Sequence, residues 1–105
     1  MDLSGLRQAV RGGRIEWRKH ALVRMGERNI RQSDILEAIA GGEPIEEYEE
    51  DRPFPSVLLF AEVDGRPLHV VAAYDSEQAW AFVITVYEPS LEEFEPDFRT
   101  RRRSP

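Results

Sequence analysis

The chain has 105 residues, no cysteine and a formal net charge of −6. This length suits a single domain with one hydrophobic core, so any active site is expected to be a shallow cleft. The absence of cysteine excludes disulfides, thiolate nucleophiles and cysteine-based zinc or iron–sulfur sites. The N-terminal residues lack the apolar core of a signal peptide, and no segment approaches the length of a membrane span, so we expect a cytoplasmic protein without membrane attachment.

Charge is strongly segregated along the sequence. Residues 1–32 carry eight Arg or Lys against three acids, residues 33–98 carry two against seventeen, and the segment from Arg99 adds four arginines. A basic N-terminal third can meet phosphate locally, while the acidic remainder disfavours loose binding to nucleic acid or attracts a basic partner. Solvated helix faces explain the same pattern without any ligand.

Three helices are predicted in the N-terminal part of the chain. Apolar residues at helical spacing predict a helix over residues 3–11, ended by a glycine pair. A brief extended stretch over residues 14–17 precedes a second helix over residues 20–29. Ser33 is the predicted N-cap of a third helix, which ends at the glycine pair 41–42. The core-facing residues expected for the second and third helices are Ala21, Leu22, Met25, Ile35, Leu36 and Ile39.

Four strands follow the helices. A glutamate-rich segment, residues 44–50, is typical of an exposed edge strand, because charges discourage edge-to-edge association. Asp64-Gly65 is a two-residue hairpin signal, which would place Phe60 opposite His69 on one face. The last strand is apolar on both faces, as in a central strand or one covered by another subunit. Three segments rich in β-branched and aromatic residues predict an antiparallel meander: residues 56–63, 66–74 and 79–87.

These elements predict an α+β fold in which N-terminal helices pack on an antiparallel sheet of about four strands. We assign residues 1–98 to a single domain and residues 99–105 to a frayed basic tail.

One helix face carries residues suited to phosphate chemistry. His20, Arg24 and Arg28 follow each other at intervals of four and therefore lie on one stripe of the second helix. Histidine can transfer protons near neutral pH, and arginine offers a fork of donors to phosphate oxygens. A solvated, salt-bridged helix face is the alternative explanation of this spacing.

The sheet adds weaker candidates. His69 lies in an apolar strand, where it is either a second proton-transfer group or a hydrogen-bonded histidine of the core. Tyr87 ends the last strand and is either near a substrate or simply packed. Arg66 follows the hairpin turn and has the position of a surface residue. Two histidines without ligand spacing make a poor metal site, and no nucleotide-binding motif is present, so we expect no metal and no cofactor.

Four segments together resemble a known family: IEWRKHALVRMGERNI, IEEYEEDRPFPSVLLF, GRPLHVV and VITVYEP. The resemblance is to a small bacterial and archaeal family catalogued as domain of unknown function 4258, and it covers about Ile15 to Phe98. Members commonly have a cysteine soon after the PxPS element, where this chain has Val57, so no thiol role applies here. More distantly, the family resembles the RelE, BrnT and MqsR type of toxin, small RelE- or barnase-like α+β ribonucleases of toxin–antitoxin systems.

The resemblance implies cleavage of RNA, for some such toxins ribosome-bound RNA, without metal or cofactor. It also implies an antitoxin partner that covers the site, of zinc-finger type for some members. The acidic total charge departs from such toxins, which are usually basic. From their place in matching motifs we assign His20, His69 and Tyr87 as catalytic, and Arg24 and Arg28 as substrate-binding. Arg66 is a further substrate-binding candidate.

Two other interpretations stay open at this point. A noncatalytic protein-interaction module of the same fold could form a homodimer through the edge strand or the doubly apolar last strand, with the helix stripe as a partner surface. An antitoxin-like DNA binder fits less well, because the second helix of the pair, SDILEAIA, is acidic and no recognition helix is evident.

Overall fold

Three helices cover one face of a five-stranded sheet in the computed structural model, which describes residues 1–103. This confirms the α+β class with N-terminal helices, although the sheet has five strands and not about four. None of the helices in the described part of the chain is long and apolar enough to cross a membrane. In chain order the elements are α1 (Leu3–Arg11), β1 (Ile15–Trp17), α2 (Lys19–Arg28), α3 (Gln32–Gly41), β2 (Glu43–Tyr48), β3 (Ser56–Val63), β4 (Arg66–Asp75) and β5 (Trp80–Tyr87).

The additional strand is β1, which the sequence indicated only as a short extended stretch. The strand order is β1-β5-β4-β3-β2, with β1 parallel to β5 and every other pair antiparallel. Backbone bonds from Ala81 N to Arg14 O (2.9 Å) and from Arg18 N to Val83 O (3.1 Å) continue the pairing at both ends of β1. β5 is an internal strand, because it pairs with β4 on one side and with β1 on the other. This agrees with the two apolar faces of β5.

The predicted hairpin between β3 and β4 is confirmed. Asp64 and Gly65 have φ angles of 52° and 78°. Two consecutive positive φ angles define the turn whose twist matches that of the flanking strands. The pairing places Phe60 directly opposite His69, as predicted.

Arg7 joins α1 to the end of α3. Its Nε donates to the carbonyl of Ile39 at 2.9 Å, and its Nη2 donates to the carbonyl of Gly42. A Cβ atom at Gly42 would lie 2.2 Å from the carbonyl oxygen of Ala38, so a larger residue would force the backbone apart. This junction fixes where α3 ends and β2 begins.

The start of α3 differs from the prediction. The N-cap is Arg31 and not Ser33, because the Asp34 carboxylate accepts a hydrogen bond from the Arg31 backbone N–H at 2.9 Å. This bond satisfies a backbone donor of the first turn and holds the pKa of Asp34 below its usual range. The helix therefore begins at Gln32, two residues earlier than a serine cap would allow.

Two leucines predicted to be buried are exposed. Leu22 and Leu36 are 43% and 38% exposed, whereas Ala21 and Ile39 on the same helices are fully buried. Each helix turns only a narrow stripe towards the sheet, and both leucines lie beside that stripe. The core beneath α1–α3 includes Leu6, Ile35, Ile39, Val57, Leu59, Val70 and Val83.

The other sheet face, named here the open face, is partly covered by residues 93–102, named here the cover hairpin. The two arms of the hairpin are joined by backbone bonds from Arg102 N to Glu93 O and from Glu95 N to Thr100 O, each 2.8 Å long. Its Phe94 is 1% exposed. The cover hairpin therefore extends beyond Phe98 into the segment predicted to be a frayed tail. Residues 104–105 lie outside the described residues.

Candidate functional site

The open face carries a polar cluster centred on His69. Residues of β3 and β4 that contact the helices alternate with residues that point to the other side of the sheet. His69 is one of the latter, paired with Phe60 on β3 and with Tyr87 on β5. The register of three neighbouring strands thus places an imidazole between a phenyl ring and a phenol.

His69 is fully buried, and both of its ring nitrogens have partners. Nε2 lies 2.7 Å from the carbonyl oxygen of Phe98, and Nδ1 lies 3.2 Å from the Tyr87 hydroxyl. Since a carbonyl oxygen can only accept, Nε2 carries the proton, and Nδ1 accepts a hydrogen bond from Tyr87. The edge of the His69 ring meets the Phe94 ring, with 4.6 Å between the ring centres.

Burial sets the charge state of this pair. It lowers the pKa of His69, and the hydrogen bond to the Phe98 carbonyl opposes this effect. Burial also raises the pKa of Tyr87. At neutral pH the pair therefore holds a neutral imidazole and a protonated phenol.

A second group of three side chains lies on the same face, and the sequence reasoning missed it. Arg101 binds Glu46 through two contacts, Nε to Oε2 at 2.6 Å and Nη2 to Oε1 at 3.1 Å. The Tyr48 hydroxyl donates to the same carboxylate. The bond from Arg101 lowers the pKa of Glu46, and burial together with Glu46 raises the pKa of Tyr48 to about 12.

The cover hairpin brings two arginines to this face. The Arg99 guanidinium lies 4.7 Å from the centre of the Phe60 ring and forms an ion pair with Glu43. The Arg101 guanidinium lies 4.9 Å from the centre of the Phe94 ring. Both cations stand over aromatic rings, an arrangement that is electrostatically favourable. A shallow, open cavity of about 550 Å³ adjoins Arg99; its lining includes Glu37, Glu43, Phe60, Glu62, Asp97 and Phe98.

The helix stripe lies elsewhere. His20 and Arg28 are exposed, and Arg24 is half-buried with Nη1 4.0 Å from the Glu27 carboxylate. α2 packs on the helix-covered face of the sheet through Ala21 and Met25. The structure therefore brings His69 together with Tyr87 but does not bring either of them to the stripe.

Arg66 makes structural contacts at the end of α2. Its Nη1 donates to the carbonyl of Asn29 at 3.0 Å, and its Nη2 donates to the carbonyl of Arg28 at 2.8 Å. The same guanidinium pairs with Glu88 at 2.7 Å. These bonds satisfy the last carbonyls of the helix and attach it to β4 and to the end of β5.

The sequence contains a signal for part of the second group and none for the rest. Glu46 and Tyr48 have the two-residue spacing of one strand face, so a strand-face pattern could have grouped them. Nothing in the sequence pairs Glu46 with Arg101, because their contact depends on the path of the cover hairpin. Within residues 1–103 no three His, Cys, Asp or Glu side chains form a group that could hold a metal ion.

Fold and site together define a small α+β domain with a histidine-centred polar cluster on its open face. The family model described as Domain of unknown function (DUF4258) matches residues 17–88, and the chain belongs to this family. The matched range contains α2, α3 and β2–β5 and ends before the cover hairpin. Neither the search of curated proteins nor the search of solved structures gave a match.

Proposed function

We propose that this protein is a metal-independent ribonuclease of the toxin type that cleaves RNA on its open face. The observation that carries the proposal is the contact between neutral His69 and protonated Tyr87, beside two arginines on the same face. Proton acceptor, proton donor and cation are the three kinds of group that cleavage of RNA without metal needs.

The chemistry follows from these charge states. A neutral imidazole can take the proton of a ribose 2′-hydroxyl, whose oxygen then attacks the adjacent phosphorus. The bond from phosphorus to the 5′-oxygen breaks, and the phenol of Tyr87 can supply the proton that this leaving oxygen takes up. The products are a 2′,3′-cyclic phosphate and a 5′-hydroxyl. Arg99 and Arg101, which lie on the same face, supply the cations for the charge that develops on the phosphate.

The proposal extends to partners. The exposed stripe of His20, Arg24 and Arg28 is a second basic surface, suited to the path of the RNA beyond the reacting bond or to ribosomal RNA. An antitoxin protein would cover the open face or this stripe. For some members of the family, the resemblance implies an antitoxin of zinc-finger type. The acidic β2 suits a partner with basic residues.

The test is incubation of the purified protein with RNA in EDTA, followed by analysis of the fragment ends. We expect fragments that end in a 2′,3′-cyclic phosphate, and a loss of about 10²–10⁴-fold in rate for His69→Ala. Tyr87→Phe should lower the rate as well, while His20→Ala, which removes a histidine away from the reacting bond, should lower it far less. Loss of activity in His20→Ala with retention in His69→Ala would move the site to the helix stripe.

A noncatalytic protein-interaction module is the second candidate, and the complete burial of His69 favours it. On this reading His69 and Tyr87 only anchor the cover hairpin, and the edge strand β2 mediates dimerisation. RNA that stays intact both in purified form and in a translating extract, together with a dimer in light scattering, would support this candidate and contradict the ribonuclease.

A further inference from the structure

The cover hairpin is built as a separate unit. Its backbone hydrogen bonds close on itself, as in the bonds from Phe98 N to Glu95 O (2.8 Å) and from Arg102 N to Glu93 O (2.8 Å). It is not a strand of the five-stranded sheet, and it lies outside the residues that the family model matches. A segment without ladder bonds to the sheet can leave it without breaking the sheet.

Side chains hold the hairpin on the open face. Phe94 is buried against His69, and the Phe98 ring lies 6.2 Å from the Phe60 ring, measured between centres. The Phe98 carbonyl accepts the bond from His69. These contacts close the open face over its only histidine, so His69 meets a substrate only after the hairpin has moved.

Two exposed ion pairs complete the attachment. The side chains of Arg99 and Glu43 are 47% and 52% exposed, and those of Arg101 and Glu46 are 49% and 25% exposed. The Arg99–Glu43 pair contributes little to stability because water and salt screen it, whereas the two-contact Arg101–Glu46 pair, with its less exposed carboxylate, contributes more. Both arginines can exchange a carboxylate for another anion, because the new partner replaces the charge–charge attraction that is lost.

Charge decides what happens to these arginines when the hairpin moves. If the hairpin moved and took no further part, the open face would present Glu43 and Glu46 without Arg99 and Arg101, and these carboxylates repel a phosphate backbone. With the carboxylates replaced by phosphates, the same guanidinium groups keep an anionic partner, and their donors can bind two phosphate oxygens at once. We infer that the cover hairpin opens as a unit and that Arg99 and Arg101 are phosphate-binding residues, held by Glu43 and Glu46 in the closed state. The nature of the substrate in this inference rests on the proposed function; the opening does not.

The first test measures hydrogen exchange of backbone amides by mass spectrometry or NMR. In Glu43→Gln/Glu46→Gln we expect the amides of Glu95, Phe98 and Arg102 to exchange about tenfold faster than in the wild type, with β3 and β4 unchanged. Glu47→Gln/Glu50→Gln is the matched control, since within residues 1–103 neither of these glutamates forms an ion pair or a side-chain hydrogen bond with the hairpin, and Glu47 pairs with the N-terminus. Equal rates in all three proteins, or hairpin amides that exchange only together with the sheet, would overturn the inference.

The second test uses inorganic tripolyphosphate as the competing polyanion, against sodium chloride at equal ionic strength. Tripolyphosphate should accelerate hairpin exchange in the wild type and have no such effect in Arg99→Gln/Arg101→Gln. Arg102→Gln is the control, because Arg102 pairs with Glu95 of the hairpin itself at 3.0 Å, and it should respond like the wild type. A wild type that responds to tripolyphosphate no more than to chloride contradicts the inference. Since RNA is absent from both tests, a failed ribonuclease assay leaves their outcome unaffected.

Discussion

The carbonyl oxygen of Phe98 lies 2.7 Å from Nε2 of His69, which fixes the ring proton of the histidine on that nitrogen. Because of this bond and the Tyr87 hydroxyl on Nδ1, the imidazole is buried without an unsatisfied nitrogen. One histidine thereby connects two strands of the sheet to the C-terminal cover hairpin. Its protonation state should consequently affect both the stability of the protein and the closure of the open face.

Stability should fall on acidification in a window set by His69. Burial lowers the pKa of His69, so the unfolded chain binds this proton at a higher pH than the folded protein does. The stabilising contribution is complete above the unfolded value of about 6.5 and is lost as the pH falls through it towards the lower folded value. Urea unfolding between pH 7.5 and pH 5 should show this decline in the wild type and in His20→Gln, but not in His69→Gln. A decline of equal size in His69→Gln would contradict the assignment.

Removing the Tyr87 hydroxyl should leave Nδ1 of His69 without a donor. Tyr87→Phe is expected to lower the free energy of unfolding by about 1–3 kcal/mol, the cost of a buried, unsatisfied acceptor. In a His69→Phe background the acceptor is gone, and the same substitution should cost much less. A double-mutant cycle in urea measures this coupling. Additive effects of the two substitutions would show that the 3.2 Å contact does not contribute.

Two glycines should respond to alanine with opposite signs. Gly26 lies inside α2, and a Cβ atom added there meets no atom within 4 Å. Gly26→Ala should therefore raise the free energy of unfolding by about 1 kcal/mol, since alanine is the better helix former. Gly65 has a φ of 78° in the hairpin turn, so Gly65→Ala should lower it by about 1–2 kcal/mol. Thermal unfolding of both variants gives the two signs, and a stabilised Gly65→Ala would refute the turn geometry.

Local chemistry made much of the fold predictable. The Asp64-Gly65 pair specified the turn, and strand alternation then placed Phe60 opposite His69. By contrast, β1 has only three residues, which are too few for a periodic signal. Its partner β5 lies far away in the sequence, after all the other helices and strands. Leu22 shows a further limit, since helical spacing defines a stripe but not its exact width.

The site was only half predictable for a related reason. His69 stood out as a polar group in an apolar strand, and Tyr87 because it ends the last strand. Arg99 and Arg101 resembled a disordered basic tail, because their partners on β2 are 56 and 55 residues away in the chain. Arg66 was singled out as a surface cation, whereas its donors are used by the end of α2. Contacts between segments so distant in sequence leave no local pattern.

The parallel pairing of β1 with β5 has a consequence for the order of folding. β1, the first of the five strands to be synthesised, pairs with β5, the last of them, so the sheet cannot be completed until β5 has left the ribosome. Pairing of strands so far apart in sequence is slow, because a long loop must close before the two strands meet. Tyr87 and Phe98, the two partners of His69, emerge later than the histidine itself. In the nascent chain His69 is therefore present before either of its hydrogen-bond partners, and the cluster around it forms only after Phe98 has been synthesised.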